Sequence, residues 1–77
     1  MITVLFFAKQ QEQLGLDKLE RAESQLAVAE LKQKLIEDYP ELSLDHTMTA
    51  INEEYADEDQ MINDQDIVAF IPPVSGG

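Results

Sequence analysis

Residues 67–77 read IVAFIPPVSGG, an apolar run that is followed by a Pro-Pro pair and then by two glycines. The run Ile67–Ile71 is short and rich in β-branched and aromatic residues, which predicts a buried strand. Because proline fixes φ and cannot donate a hydrogen bond to a sheet, the Pro-Pro pair ends this strand and directs the chain outward in an extended conformation. We therefore predict one domain over residues 1–71 and an extended tail over residues 72–77.

The predicted tail consists of Pro72, Pro73, Val74, Ser75, Gly76 and Gly77. Because glycine has no side chain, the backbone of the final two residues can enter a channel that is too narrow for any other residue. Six extended residues reach about 20 Å, so the carboxylate expected on Gly77 can enter the active site of another protein. The alternative is a flexible terminus without a function. Only three glycines occur in the chain and two of them are its last residues, which favours the functional tail.

The length and composition are those of one small globular domain. The chain has 77 residues, of which 44% are hydrophobic and 27% are charged. It contains no apolar run of about 18 residues and no basic segment followed by an apolar one, so neither a membrane span nor a signal peptide is expected. It also lacks cysteine and therefore any disulfide framework. The cytoplasm is the expected compartment.

Charge is unevenly distributed along the sequence. All five basic residues lie in residues 1–34, together with five acidic residues, whereas residues 35–77 hold the other eleven acidic residues. The second part therefore accounts for the whole formal charge of −11. It would repel nucleic acid and anionic membranes, and it would attract a protein partner with a basic surface. The alternative is an acidic surface whose role is solubility.

The hydrophobic pattern predicts a short series of elements. A helix is expected at about residues 26–38, with Val28, Leu31, Leu35, Ile36 and Tyr39 on one apolar stripe. Ser24 is the available cap, or the helix starts within residues 25–27, and Pro40 ends it. The other elements are a strand at residues 1–8, a helical turn or loop at 9–15, an edge strand at 16–21, a strand at 46–52, a short strand near Tyr55, a turn at 63–66 and the strand at 67–71.

The predicted fold class is α+β, a β-grasp (ubiquitin-like) fold in which a mixed sheet packs on one main helix. The first and last strands are the most apolar, so we expect them to pair in the middle of the sheet. A single helix covers only one face of the sheet, and side chains alternate between the faces. The residues assigned to the helix side are Ile2, Val4, Phe6, Val68 and Phe70. The residues assigned to the open face, beside the base of the tail, are Leu5, Phe7, Ala69 and Ile71.

An exposed apolar patch of this kind usually marks a protein interface, so these last four residues are predicted to contact a partner. In the alternative, strand twist and the 9–15 segment bury them within the domain.

The side chains offer no familiar catalytic or metal site. The absence of cysteine excludes a thiol nucleophile, and His46 is the single histidine, interpreted as a polar residue at a strand edge. The acidic residues between 57 and 66 lack the glycine and the spacing of an EF-hand, and no phosphate-binding glycine loop is present. We expect no metal and no cofactor bound by this chain. The carboxylate of Gly77 remains, and it becomes an acyl donor only after activation with ATP, which a partner must perform.

Four segments resemble the small subunit of molybdopterin synthase, the MoaD family. They are MITVLFFA at residues 1–8, A-I-N at 50–52, D-x-D at 64–66 and IVAFIPPVSGG at 67–77. The resemblance extends over essentially the whole chain, and PPVSGG is its most specific part. Two positions depart from the family pattern: Gln65 stands where a turn glycine is common, and Ala27 stands where a Thr or Ser helix cap is common.

The resemblance implies a β-grasp fold and a sulfur-carrier function. Gly77 would be adenylated by an E1-like enzyme and converted to a thiocarboxylate, with a sulfurtransferase as the source of sulfur. The tail, Pro72–Ser75 with Gly76, would enter the large subunit and donate sulfur to cyclic pyranopterin monophosphate, forming the dithiolene of molybdopterin. Two small and two large subunits would form the complex, and Phe7 and Ile71 would make hydrophobic contacts to partners. The small subunit would not be an enzyme on its own.

Three other functions stay open at the level of sequence. A ubiquitin-like modifier that joins Gly77 to lysines of target proteins needs the same fold, tail and adenylation. A sulfur carrier for another thiolation pathway, such as that of thiamine, shares only the Gly-Gly end. In the third alternative, the chain is an interaction domain and its tail has no function of its own.

Overall fold

The computed structural model describes residues 1–7, 9–44 and 46–72. The predicted domain boundary between residues 71 and 72 stays a prediction, since most of the tail lies outside these residues. The elements are β1 (Ile2–Leu5), α1 (Lys9–Leu14), β2 (Lys18–Arg21), β3 (Leu26–Ala27), α2 (Val28–Asp38), β4 (Met48–Ile51), β5 (Glu54–Ala56), β6 (Met61–Ile62) and β7 (Ile67–Ile71).

A five-stranded mixed sheet forms the centre of the described structure. Its strand order is β2-β1-β7-β4-β5, with β1 parallel to β7 and the other pairs antiparallel. The predicted central pairing of the first and last strands is therefore confirmed, as is the β-grasp architecture. Strands β3 and β6 form a separate two-stranded sheet, which the sequence did not predict because two residues are too few for a periodic signal.

One hydrophobic core joins α2 to one face of the sheet. The five residues assigned to the helix side are all buried, with at most 1% of their surface exposed. From α2, Val28, Leu31 and Leu35 pack into the same cluster. Leu42 and Leu44, on either side of the exposed Ser43, are also buried in it, although this segment after α2 is neither helix nor strand. Burial of a large apolar side chain contributes roughly 1.5–3 kcal/mol, so this core stabilises the fold.

Helix α2 begins at Val28, two residues after the predicted start, and backbone groups cap its first turn. Its N-cap is Ala27, which agrees with the alternative start within residues 25–27 and with the cap position implied by the resemblance; Ser24 is not the cap. The backbone N–H of Val28 donates to the carbonyl of Gln60, and that of Ala29 donates to Glu58, both at 3.0 Å. The Glu30 carboxylate accepts from the Ala27 N–H at 3.1 Å. Because neighbouring residues satisfy these groups, a side-chain cap is not needed.

Two other sequence assignments are wrong. Ile36 is 44% exposed, since successive helical residues are separated by about 100° and this side chain points away from the stripe formed by Leu31 and Leu35. His46 lies in an exposed turn with a φ of 63°, before β4 begins at Met48, so it is not a strand residue.

An ion-pair network ties the end of β2 to the end of α2. The guanidinium of Arg21 donates to both carboxylate oxygens of Glu23 at 2.8 and 2.6 Å, and to Asp38 at 2.8 Å. These hydrogen bonds, the one to Glu23 first, raise the pKa of Arg21 above its usual value. The bond from Arg21 lowers the pKa of Glu23, so the stabilisation due to this carboxylate is present above about pH 4.5 and is lost as the pH falls through its lowered pKa.

The A-I-N and D-x-D segments bind to each other. The Asn52 backbone N–H donates to the Ile67 carbonyl at 2.8 Å, and the Ile67 N–H donates to Asn52 Oδ1 at 3.0 Å. Asn52 Nδ2 donates to Asp66 Oδ1 at 2.9 Å, while Asp66 Oδ2 accepts from the Asn63 N–H at 2.8 Å. These residues therefore fix the turn before β7 and the start of that strand.

The turn at Gln65 keeps a left-handed geometry without glycine. Gln65 has a φ of 75°, and its N–H donates to the Met1 carbonyl at 2.7 Å. That conformation is the one in which glycine is favoured. The departure at this position therefore leaves the turn in place and adds strain. Within the described residues, no helix is both long and apolar enough to cross a bilayer.

Replacing Asn52 by Ala should lower the free energy of unfolding by about 2 kcal/mol, because two side-chain hydrogen bonds of ~1 kcal/mol each are lost. It also leaves a side chain in the left-handed region without the local bonding that Asn provides. Equilibrium urea denaturation measures the change. Asn52→Gly removes the same hydrogen bonds without the steric cost, so it should lower the free energy of unfolding by less. An unchanged urea midpoint for Asn52→Ala would contradict the stabilising role of these hydrogen bonds.

Candidate functional site

The sheet face opposite α2 is the candidate site, and strand alternation places its residues. Along β7, Val68 and Phe70 are fully buried against the helix side, so Ile67, Ala69 and Ile71 project from the other face. The register pairs Leu5 with Ala69 across β1 and β7, and Ala50 with Ala69 across β4 and β7. Directly paired residues share a face, so a row of side chains crosses the sheet here.

This face forms a shallow concavity of about 600 Å³. We call it the concave face, and its lining residues are Leu5, Phe7, Ala50, Asn52, Glu53, Tyr55, Ile67, Ala69 and Ile71. The concavity has a simple cause: the paired residues at its centre, Ala50 and Ala69, carry only methyl groups, while larger side chains surround them. The exposed fractions are 39% for Phe7, 46% for Ile67 and 71% for Tyr55. Much apolar surface on this face is therefore in contact with water.

The backbone at Phe7 is held by the segment that follows it. The side chain of Gln10, which is 3% exposed, accepts from the Phe7 N–H at 3.2 Å. In return the Gln10 N–H donates to the Phe7 carbonyl at 3.0 Å. Gln11 Nε2 donates to the Phe6 carbonyl at 2.8 Å. Phe7 is therefore fixed at the rim of the concave face before any partner binds, which lowers the entropic cost of binding.

The structure brings together all four residues predicted for a partner interface. Leu5, Phe7, Ala69 and Ile71 line the same concave face. The alternative, in which the 9–15 segment covers them, is wrong for Phe7, which stays exposed, and the other three are half-buried. Their contact with a partner stays a prediction. Of the tail residues, Pro72 is described and is half-buried, whereas Pro73, Val74, Ser75, Gly76 and the predicted reactive residue Gly77 lie outside the described residues.

Sequence reasoning missed several residues of the site. Alternation along the strand places Ile67 on the same face as Ala69 and Ile71, but the predicted interface does not include it. Tyr55 required the register, in which it lies opposite Ala50. The supporting roles of Gln10 and Asn52 depend on contacts that no periodic pattern encodes.

The concave face has the character of a binding surface. Its lining is mostly apolar, with Asn52 and Glu53 at one end. Among residues 1–7, 9–44 and 46–72, no three His, Asp or Glu side chains are grouped to hold a metal ion. The ion pair of Arg21 and Glu23, whose pKa values are shifted, belongs to the network between β2 and α2 and does not line this face. The arrangement is suited to docking an apolar surface beside the base of the tail.

Both the sheet topology and this open face define a ubiquitin-like β-grasp protein, and comparisons with known proteins agree. The structure superposes on small archaeal modifier protein 1 of H. volcanii with a TM-score of 0.81 and 21% identity, covering 95% of this chain and 97% of that one. It also superposes on a chain from the protein–protein complex of subunits 1 and 2 of molybdopterin-converting factor of Helicobacter pylori. That match has a TM-score of 0.72 and 22% identity, covering 99% and 97% of the two chains.

The ThiS family profile matches residues 4–77. The chain is 39% identical over 80 residues to the molybdopterin synthase sulfur carrier subunit of Dictyostelium discoideum, covering 96% of this chain and 93% of that protein. It is 38% identical over 81 residues to the subunit of the same name from Escherichia coli, with 100% of both chains covered. The chain belongs to the ThiS family, and the resemblance to the small subunit of molybdopterin synthase is confirmed.

The two faces of the sheet should respond differently to the same truncation. Phe70→Ala should lower the free energy of unfolding by about 3–5 kcal/mol, because it leaves a cavity in the core. Phe7→Ala should lower it by about 1 kcal/mol or less, since this ring is already partly in water. Urea denaturation of both variants provides the comparison. Equal losses would place Phe7 in the core and remove it from the candidate site.

Proposed function

We propose that this chain is the sulfur-carrier subunit of a molybdopterin synthase and that Gly77 carries the sulfur as a thiocarboxylate. The observation that carries the proposal is the 38% identity to the Escherichia coli sulfur carrier subunit with both chains covered completely. That coverage supports Gly77 as the counterpart of the relative's last residue. The open concave face at the base of the tail is consistent with a carrier that docks on larger proteins.

The chemistry requires activation of the Gly77 carboxylate by a partner. An E1-like enzyme joins the carboxylate to the AMP part of ATP, and pyrophosphate leaves. The terminal sulfur of a sulfurtransferase persulfide then attacks the acyl carbon, and AMP leaves. A thiol cleaves the resulting acyl disulfide, which leaves a thiocarboxylate on Gly77 and a disulfide between the thiol and the sulfurtransferase. This chain has no cysteine, so the attacking sulfur comes from outside it. The chain itself binds no ATP, metal or other cofactor in this scheme.

The loaded tail then delivers sulfur inside the large subunit. The thiocarboxylate sulfur attacks a carbon of cyclic pyranopterin monophosphate, and the carbon–oxygen bond at that carbon breaks, the oxygen leaving as water or with the phosphate. Water then cleaves the bond between the acyl carbon and the transferred sulfur. This restores the carboxylate of Gly77, and two such transfers supply the two sulfurs of the dithiolene. The catalytic pocket belongs to the large subunit, so the small subunit is a sulfur donor and not an enzyme on its own.

The fold provides a rigid base for the tail. Ile71, the last residue of β7, pairs with Met48, and β7 lies between β1 and β4 in the sheet. The position of Pro72, the first residue of the tail, is therefore set by a central strand. The large subunit docks on the concave face, where Leu5, Phe7, Ala69 and Ile71 contact it, and the tail enters its active site. Two copies of each subunit form the complex, in the cytoplasm and without nucleic acid or membrane.

A protein modifier is the second candidate, and the structural similarity to small archaeal modifier protein 1 favours considering it. Intact-mass analysis after incubation with the activating enzyme, ATP and a sulfur source distinguishes the functions. Exchange of one oxygen of Gly77 for sulfur is the outcome expected here. Adducts on lysines of other proteins would support the modifier, and an unchanged mass would leave a plain interaction domain.

Deleting Gly77, or adding one residue after it, should abolish sulfur transfer and leave the urea unfolding curve unchanged. The acyl group that reacts is then absent or displaced from the activating site, while the folded domain is untouched. Glu37→Gln on α2, remote from the concave face, serves as the control and should load sulfur normally. Full sulfur transfer by either tail variant would contradict the mechanism.

Phe7→Ala should weaken binding to the large subunit by about tenfold or more, the usual effect of truncating an aromatic anchor in an interface. Isothermal calorimetry with the purified large subunit measures the dissociation constant. Affinity equal to that of the unmodified chain would exclude Phe7 from the interface even if the sulfur-carrier function holds.

A further inference from the structure

The turn between β4 and β5 contains a side chain in an unfavourable position. Asn52 and Glu53 connect the two strands with φ values of 51° and 73°. Two-residue hairpin turns with positive φ at both positions favour Asn followed by Gly. Asn52 is accounted for by its hydrogen bonds to Asp66 and Ile67. Glu53 is different: within the described part of the chain, its side chain takes part in no hydrogen bond or ion pair.

Glu53 also lies on the concave face, at the end farthest from the tail. The register pairs Ile51 with Val68 and Met48 with Ile71, so the turn that follows Ile51 lies beside the start of β7. Pro72 leaves from the other end of the same strand. The two ends of β7 are four residues apart, which corresponds to ~13 Å along the strand. Glu53 and the base of the tail therefore lie at opposite ends of one docking surface.

Glu53 is the single charged residue among those that line the concave face. Its neighbours Glu54 and Asp66 are acidic, and residues 35–77 contain no Lys or Arg. A cation that neutralises Glu53 on this face is therefore most readily supplied by a partner. A second copy of this chain is a poor source, because each copy has a formal charge of −11 and the copies repel each other.

We propose that Glu53 forms an ion pair with a lysine or arginine of the large subunit, at the edge of an apolar surface that fills the concave face. This inference rests on the proposed function and identifies the chemistry of the docked partner. An apolar contact alone would allow the partner to shift its position along β7. One ion pair at the far end fixes the orientation of the partner, so that its active site lies where the tail leaves the domain. Electrostatic complementarity of this kind sets orientation and association rate.

The test compares two variants that remove the same charge. Glu53→Gln removes it from the concave face, and Glu37→Gln removes it from α2 on the other side of the sheet. Affinity for the purified large subunit is measured at about 0.01 M and about 1 M salt, where the screening lengths are ~30 Å and ~3 Å. We expect Glu53→Gln to weaken binding roughly threefold or more at low salt, a rim-charge effect. The difference from the unmodified chain should vanish at high salt, and Glu37→Gln should stay within about twofold throughout.

Two further variants distinguish the effect of backbone strain on stability from the effect of the proposed ion pair on binding. Glu53→Gly should raise the urea midpoint, because glycine fits the positive φ, and should weaken binding as Glu53→Gln does. Gln65→Gly relieves the same kind of strain outside the concave face, so it should raise the midpoint and leave binding unchanged. Together these outcomes would show a side chain retained for binding at a cost in stability.

The outcomes distinguish this inference from the function on which it rests. Failure of the unmodified chain to bind the large subunit would overturn the sulfur-carrier proposal and this inference together. Normal binding that Glu53→Gln and Glu37→Gln weaken equally would overturn the inference alone. Sedimentation that shows a dimer of the unmodified chain, converted to monomer by Glu53→Gln, would identify a second copy as the partner and would also overturn it.

Discussion

A single helix covers one face of the sheet, and this constraint governs the whole molecule. Because side chains alternate along β7, its five residues contribute both to the core and to the concave face. Val68 and Phe70 hold α2 against the sheet, while Ile67, Ala69 and Ile71 stay on the open side. A register slip of one residue would exchange the two sets. The stability of the core therefore also fixes the composition of the candidate binding surface.

The segments that carry the family resemblance have different physical roles. Asn52 and Asp66, from the A-I-N and D-x-D segments, are joined to each other and to the start of β7 by hydrogen bonds. Those two segments therefore serve the fold. Most of the PPVSGG tail lies outside the described residues, and the chemistry proposed for Gly77 accounts for its composition. Structural and functional signals are thus separated along this chain.

The architecture suits a carrier whose reactive group is loaded and used by other proteins. The side chains described provide an open, mostly apolar face and no grouping that would hold a metal ion. Strained non-glycine residues occur in the turns around the sheet, among them Glu53 and Gln65. At Gln65, whose N–H donates to the Met1 carbonyl, a tertiary hydrogen bond overrides the local backbone preference. Small domains tolerate a few such positions because the core supplies most of the stability.

The sequence alone determined the order of the main elements, without β3 and β6, the central pairing of the first and last strands, and the division of β7 into a core face and an open face. Local apolar periodicity gave the elements and the faces, and the high apolar content of the first and last strands predicted that they lie in the middle of the sheet. The sequence also identified the tail as the reactive end, which stays a prediction. Tertiary structure decided the features that local periodicity does not encode. Two of them are the pairing of β3 with β6 and the capping of α2 by the carbonyls of residues 58 and 60. The other two are the exposure of Ile36 and the hydrogen bond between the Gln10 side chain and the Phe7 backbone. Each of these depends on groups that are distant in sequence or on a single side-chain direction, and only the folded backbone brings such groups together.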